Sequence, residues 1–132
     1  MAREIVDVDR FLTAPELDCP QRDVPVPELG NGAVIPVWGM TPSERMTFDN
    51  QFMLSNGKRN KRRFEQYRQR LLIQCCRNDD GVPLFSESHV AQLGKRSGVV
   101  VERLVNVAME LSGISGADME TLVGNSEETD DS

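Results

Sequence analysis

The side chains in this 132-residue sequence that could most readily act as nucleophiles or metal ligands are three cysteines and one histidine. Cys19, Cys75 and Cys76 are an odd number of thiols, and adjacent residues on a helix point about 100° apart, which argues against a disulfide framework. They lack the Cys-x-x-Cys spacing of a structural zinc site, and His89 is the one imidazole that could join them. No nucleophile motif, phosphate-binding loop or paired-carboxylate motif accompanies His89. We therefore predict that the chain is not an enzyme and has no catalytic residue, metal or cofactor.

A second candidate for chemistry is the run KRNKRRFEQYRQR at residues 58–70, which holds seven of the fifteen lysines and arginines. If it forms a helix, Phe64, Tyr67 and Leu71 make an apolar stripe that faces a core. The arginines that share the opposite edge of this predicted helix are Arg59, Arg63, Arg70 and Arg77. Because no acid on that edge pairs with them, their counter-charges must come from phosphates, from neighbouring elements or the tail, or from a partner protein.

The distribution of charge disfavours nucleic acid as the source of those counter-charges. Residues 1–115 contain fifteen acids and fifteen bases, so the net charge of −6 comes entirely from six acids in residues 116–132. A domain that binds nucleic acid usually has a strong basic excess. The alternative, a small nucleic-acid-binding regulator that uses a basic helix over residues 58–77, stays open at this point.

Length and hydropathy indicate one domain with no membrane span. No apolar run approaches the roughly 18 residues that a membrane helix needs, and the N-terminus lacks the apolar core of a secretory signal. We predict a weakly ordered segment over residues 1–22, in which Asp9 caps one helical turn and Phe11 and Leu12 pack against the core. Residues 116–132 are too polar and acidic to bury a core, which predicts a disordered acidic tail.

The elements between these two segments predict an α+β fold that is mainly α. Valines alternate with prolines after residue 23, and the turn GNG then leads to a second apolar stretch, a pattern typical of a small hairpin. Thr41, Pro42 and Glu44 form a capping box that begins a helix ending near Asn56 and Gly57. Three further helices are predicted: the basic one to about Arg77, a short one from Ser86 to Gly94, and one from Ser97 to Gly113. We expect this hairpin and about four helices to form one domain over residues 23–115.

The last helix is more apolar than a helix on the surface of a small domain needs to be. Its apolar side chains cover roughly 200° of its circumference. Either it is a central helix that packs on all sides, or one flank is covered by a partner or by another copy of the chain. The residues predicted to bind a partner are Val100, Leu104, Val107 and Leu111, together with Arg59, Arg63, Arg70 and Arg77.

The order of these features resembles a known family. The hairpin VPVPELGNGAVIPVWGMTPSER, the basic helix that leads into RLLIQCCRNDDGVPLFSESHVAQLG, the helix VERLVNVAMELSGIS and the polar tail are similar to the tail assembly chaperones of long-tailed bacteriophages and prophages. The likeness covers roughly residues 23–115, and LLIQCCRNDDGVPLF is its strongest part. The pattern is one of helices and turns, without a catalytic signature.

The resemblance implies a non-enzymatic role in the cytoplasm of the infected or lysogenic bacterial host. Proteins of this family bind the aggregation-prone tape measure protein, keep it soluble, help to recruit tail tube subunits, and are absent from the finished virion. Many are made in two lengths through a ribosomal frameshift, and this sequence would be the short form. Self-association is a further possibility, and a structural tail subunit is an alternative function.

Overall fold

An antiparallel hairpin opens the folded domain in the computed structural model, which describes residues 3–115 and 129–130. Strand β1 (Gln21–Pro25) pairs with β2 (Val34–Trp38), and Val24 lies opposite Ile35. The connection contains a short 3-10 turn, followed by Gly30 and Gly32, whose positive φ angles of 133° and 80° favour glycine. The predicted hairpin with a glycine-containing turn is confirmed.

Six helices lie in the described part of the chain. They are α1 (Val8–Thr13), α2 (Pro42–Asn50), α3 (Lys61–Glu65), α4 (Tyr67–Cys75), α5 (Val90–Leu93) and α6 (Gly98–Leu111). A two-residue strand β3 (Arg59–Asn60) pairs in parallel with β4 (Thr129–Asp130). The predicted class, α+β and mainly α with a small N-terminal hairpin, is confirmed. None of the described helices is long and apolar enough to cross a membrane.

Helix α2 begins with the predicted capping box but ends earlier than the sequence suggests. The Thr41 backbone N–H donates to Glu44 Oε1 at 2.9 Å, and the Glu44 N–H donates to Thr41 Oγ1 at 3.2 Å. The helix ends at Asn50 instead of near Asn56 and Gly57. It ends there because the chain turns tightly at this point and places Phe52 in the core, 5.1 Å from the ring of Phe48.

The prediction of a single basic helix over residues 58–77 is wrong. Residues 58–60 are not helical, because the Asn60 side chain caps α3 by accepting from the Arg63 N–H at 3.2 Å. A break at Gln66, whose φ and ψ are −102° and 16°, separates α3 from α4. Helix α4 ends at Cys75, and Cys76 is already extended and bridges to Val37 of the hairpin. The basic run therefore spans a strand, a cap and two helices.

The core forms where α4 and α6 pack against each other and against the hairpin. Its fully buried side chains include Leu71 and Leu72 from α4, Val105 from α6, and Val37 from β2. Aromatic rings close one end, where Phe48 lies with its centroid 5.5 Å from that of Tyr67 in an edge-to-face arrangement. Each buried side chain of this size contributes roughly 1.5–3 kcal/mol to folding. Hydrophobic burial around α4 and α6 is thus the main source of stability.

Two helices in the second half of the chain lie as predicted. A 3-10 turn follows Ser86, whose backbone N–H donates to His89 Nδ1 at 2.9 Å, and α5 then runs to its C-cap at Gly94. Helix α6 occupies the predicted range between Ser97 and Gly113. The predicted disorder of the tail at residues 116–132 lies outside the described residues, apart from β4.

The N-terminal segment differs from the prediction in two ways. Helix α1 is capped by Asp7, which accepts from the Arg10 N–H at 3.3 Å, instead of by Asp9. The prediction that Phe11 and Leu12 pack against the core is wrong, because these side chains are 62% and 72% exposed. Extended backbone at Ala14, where ψ is 123°, ends the helix and separates it from the hairpin.

Candidate partner-binding surface

The apolar face of α6 divides between the core and the surface. Leu104 is 3% exposed and packs in the core, which leaves too little of it for a partner to contact. Val100, Val107 and Leu111 are half-buried against the same core. Part of each of these three side chains reaches the surface. Their role in binding a partner therefore stays a prediction, while Leu104 serves the interior of the domain.

The first turn of α6 adds an exposed apolar side chain that the sequence pattern did not single out. Val99 is 72% exposed, and it precedes the half-buried Val100. At 100° per residue, Val99 lies between Asn106 and Glu110 in the polar arc of the helix, so the apolar pattern does not assign it to the candidate flank. Val99 is thus an exposed apolar side chain at the beginning of α6, on the polar side of the helix and about 80° around it from Val107.

The four arginines of the predicted edge do not form a continuous basic surface. Arg77 Nη2 lies 2.8 Å from Glu44 Oε2 at the beginning of α2, and Arg70 Nη1 lies 2.9 Å from Glu87 Oε2. Arg63 donates to the backbone carbonyl of residue 51 at 3.1 Å. The Arg59 guanidinium lies over the Phe64 ring, 5.1 Å from its centroid. Neighbouring elements of the same domain therefore supply the counter-charges of Arg70 and Arg77.

Arg70 is a structural residue of the domain, since its side chain is 9% exposed and its guanidinium makes four hydrogen bonds within the domain. It donates to the side-chain oxygens of Gln66, Gln51 and Glu87, at distances between 2.9 and 3.2 Å. These contacts join α4 to the end of α2 and to the turn before α5. A partner has little access to this guanidinium.

Replacing Arg70 with methionine is expected to lower the free energy of unfolding by about 1–3 kcal/mol, because the partly buried amide oxygens of Gln51 and Gln66 lose their donor. The matched control is Glu87→Gln, which removes the acid at a side chain that is 70% exposed and is expected to cost less than about 1 kcal/mol. Urea unfolding of both variants measures the difference. Equal losses in the two variants would contradict the structural role of Arg70.

Two ion pairs attach the hairpin and its loop to α6. Both oxygens of Glu28 accept from Arg103 at 2.9 Å, and this hydrogen bonding lowers the pKa of Glu28 to about 2. Arg22 of β1 donates to Glu110 at 2.9 Å and likewise lowers the pKa of that carboxyl. These exposed pairs orient the hairpin on the helix, while the apolar contacts beneath them supply most of the stability.

A groove that the sequence pattern did not predict lies between α4 and the segment that follows it. It has a volume of about 420 Å³. It is lined by the apolar residues Ile73, Pro83, Leu84 and Phe85 and by the polar residues Gln74, Arg77, Ser86 and His89. Leu84 is 42% exposed. The groove exists because Leu84 pairs its N–H with the Cys76 carbonyl, which holds residues 82–85 against the end of α4. Such long-range backbone pairing has no local sequence signal.

Cys75, Cys76 and His89 have structural surroundings in the described part of the chain. Burial raises the pKa of the Cys75 thiol to about 11 and that of Cys76 to about 12, so both remain protonated near neutral pH. His89 uses Nδ1 to cap the turn before α5. Within residues 3–115 and 129–130, no cluster of histidine, cysteine and carboxylate side chains is arranged to hold a metal ion.

Comparison with known proteins gives one family match and one match to a solved structure. A family model described as "Phage tail assembly chaperone" matches residues 10–130. A solved structure of the bacteriophage HK97 tail assembly chaperone matches with a TM-score of 0.50 and 21% sequence identity, over 78% of this chain and 94% of that chain. At this identity the structural match shows a shared fold. The comparison with curated proteins gives no match.

Proposed function

The chain belongs to the phage tail assembly chaperone family, and on that premise we propose that it binds the tape measure protein during tail assembly and keeps it soluble. The family and the fold point to a non-enzymatic role and to interaction with tail proteins. The tape measure protein is the partner that the family resemblance implies. We further propose that the chain acts in the cytoplasm of the bacterial host and also binds tail tube subunits.

The observation that carries this proposal is apolar surface on a domain whose core is already formed. Val99 is 72% exposed in the first turn of α6, and Val82 and Leu84 are 55% and 42% exposed beside the groove. A protein that keeps an aggregation-prone chain soluble needs accessible apolar patches of this kind. Arg70 and Arg77 are paired with acids of the same domain, which supports apolar binding in preference to binding through a basic edge.

Co-expression with the tape measure protein encoded by the same phage or prophage tests the proposal. We expect the soluble fraction of the tape measure protein to rise several-fold when the chain is present, because the chain covers the apolar segments of the tape measure protein as they are synthesised. The measurement is quantitative blotting of soluble and pelleted fractions. An unchanged soluble fraction would count against the proposal.

Variants of the chain assign the effect to the apolar surface. Val99→Ser combined with Leu84→Ser is expected to remove most of the gain, whereas Met46→Ser, at a 67% exposed position on α2, is expected to retain it. Mass spectrometry of purified particles separates an assembly factor from a structural tail subunit. The assembly factor is expected to be missing from the particles.

A further inference from the structure

Strand β3 lies within the basic run, and its two edges have different neighbours. On its inner edge, the Asn60 N–H donates to the Phe52 carbonyl at 2.8 Å, and the Leu54 N–H donates to the Lys58 carbonyl at 2.6 Å. Backbone groups of successive residues in a strand point to opposite edges, so this pairing directs the N–H and carbonyl of Arg59 to the outer edge. The outer edge of β3 therefore offers a donor and an acceptor to another strand.

The strand at this outer edge comes from the acidic end of the chain. Strand β4 runs parallel to β3, with Thr129 in register with Arg59 and Asp130 in register with Asn60. Both residues of β4 belong to the sequence EETDD at residues 127–131, in which four of the five side chains are acids. The basic run thus accepts a strand from the most acidic part of the sequence.

The charges beside β3 are complementary to an acidic strand. Residues 58–63, KRNKRR, place five cations in six positions. Lys58, Lys61 and Arg62 are exposed, and these three residues are called the basic cluster below. Residues 1–115 contain equal numbers of acids and bases, whereas residues 116–132 contain six acids and no base. The C-terminal end is therefore the part of the chain whose net charge is opposite to that of the cluster.

The Arg59 side chain is a second, independent indication of an acidic ligand. Its Nη1 atom is buried and has no hydrogen-bond partner among the residues that the structure describes. The guanidinium lies over the Phe64 ring, 5.1 Å from its centroid, which keeps it beside β3. A buried N–H without an acceptor is unfavourable, and a carboxylate at this edge would satisfy it through a charge-assisted hydrogen bond.

We propose that the outer edge of β3 and the basic cluster form a binding site for extended acidic segments, and that the C-terminal end of this chain is its autoinhibitory occupant. Strand addition supplies backbone hydrogen bonds, while the cations select an acidic sequence. An acidic segment of another protein then binds by displacing the end of the chain. This site is separate from α6 and from the groove, so the inference goes beyond binding of the tape measure protein.

A full-length variant with a neutral end tests the competition. It carries Glu127→Gln, Glu128→Gln, Asp130→Asn and Asp131→Asn, and the probe is a fluorescein-labelled peptide, GNSEETDDS, with the sequence of residues 124–132. We expect fluorescence anisotropy to give a Kd about tenfold lower for this variant than for the native chain. A tethered end at an effective concentration of about 1 mM competes to this extent with a peptide whose Kd is about 0.1 mM. Equal Kd values would overturn the proposal.

Charge reversal of the basic cluster locates the peptide on the chain. In the neutral-end variant, Lys61→Glu combined with Arg62→Glu is expected to raise the peptide Kd at least about tenfold. Both substitutions lie in the first turn of α3, where acids are favourable, so the helix is retained. Lys95→Glu combined with Arg96→Glu is the matched control, because it makes the same change of net charge at exposed positions outside the site. Equal effects of the two pairs would overturn the proposal.

Two further ligands separate strand addition from simple charge attraction. A peptide with N-methylated Asp130 keeps every charge but lacks the N–H expected to reach the Arg59 carbonyl in this register. It is expected to bind about fivefold more weakly, the effect of one lost hydrogen bond, and unchanged binding would contradict the pairing. A single-stranded DNA hexanucleotide that binds more tightly than the peptide would overturn the choice of an acidic protein segment as ligand. All these measurements use the chain without the tape measure protein, so they are independent of the proposed function.

Discussion

Replacing Phe48 with alanine is expected to lower the free energy of unfolding by about 3–5 kcal/mol, the usual cost of truncating a fully buried phenylalanine. Phe48 is 1% exposed, and its ring makes edge-to-face contacts with Phe52 and Tyr67 at centroid distances of 5.1 and 5.5 Å. Alanine would leave a cavity between α2 and α4 and would remove both ring contacts. Because small domains are stable by only about 5–15 kcal/mol, this loss is a large fraction of the total.

Urea unfolding followed by circular dichroism measures this loss as a lower midpoint at an unchanged slope. Met46→Ala is the matched control, since Met46 lies on the same helix but is 67% exposed. It is expected to change stability by no more than about 0.5 kcal/mol. A Phe48→Ala loss below about 1 kcal/mol would show that the aromatic cluster is not the centre of this core.

Replacing Gly39 with alanine is expected to cost about 1–3 kcal/mol, which is typical of overpacking at a closely packed site. A Cβ atom at Gly39 would overlap the backbone carbonyl oxygen of Leu111 and would lie 3.1 Å from its carbonyl carbon and 3.3 Å from Pro20 Cδ. The Gly39 N–H also donates to the Pro20 carbonyl at 2.9 Å, which restricts its movement. The hairpin and the end of α6 would have to separate.

Gly98→Ala is the control for this prediction, with an expected effect in the opposite direction. Gly98 is the first residue of α6, and a Cβ atom there would meet no heavy atom within 4 Å. Alanine is the better helix former and also restricts the unfolded chain, so a gain of about 0.4–1 kcal/mol is expected. Thermal unfolding of both variants tests the pair. A stable Gly39→Ala protein would contradict the close approach of the hairpin to α6.

Local signals in the sequence were sufficient for the elements that begin or end at a strong cap. The Thr41 capping box and the stop at Gly94 are short-range features, and the structure has them where the sequence indicated. The prediction of one helix over the basic run failed because helical periodicity does not reveal the helix cap at Asn60 or the break at Gln66. Helical periodicity also does not reveal the early end of α2, which is determined by the packing of Phe52 in the core.

The sequence predicts the candidate partner-binding surface less well than it predicts the fold. Periodicity indicates that α6 is unusually apolar, but it could not show that Leu104 is buried while Val100, Val107 and Leu111 on the same flank reach the surface. The arginine edge looked free because its partners, Glu44 and Glu87, lie on other elements far along the chain. The groove depends on pairing between Cys76 and Leu84, and the exposed face of α1 depends on where the N-terminal segment lies. These are tertiary properties that a one-dimensional pattern does not contain.

The measurement that tests the proposed chaperone function most directly is light scattering during refolding of the tape measure protein. The denatured tape measure protein is diluted into buffer that contains the purified chain, an equal mass of serum albumin, or the chain with Val99→Ser and Leu84→Ser. The account predicts that the chain suppresses scattering in proportion to its concentration and that the double variant suppresses it much less. Scattering with the chain equal to that with serum albumin would contradict the proposed function.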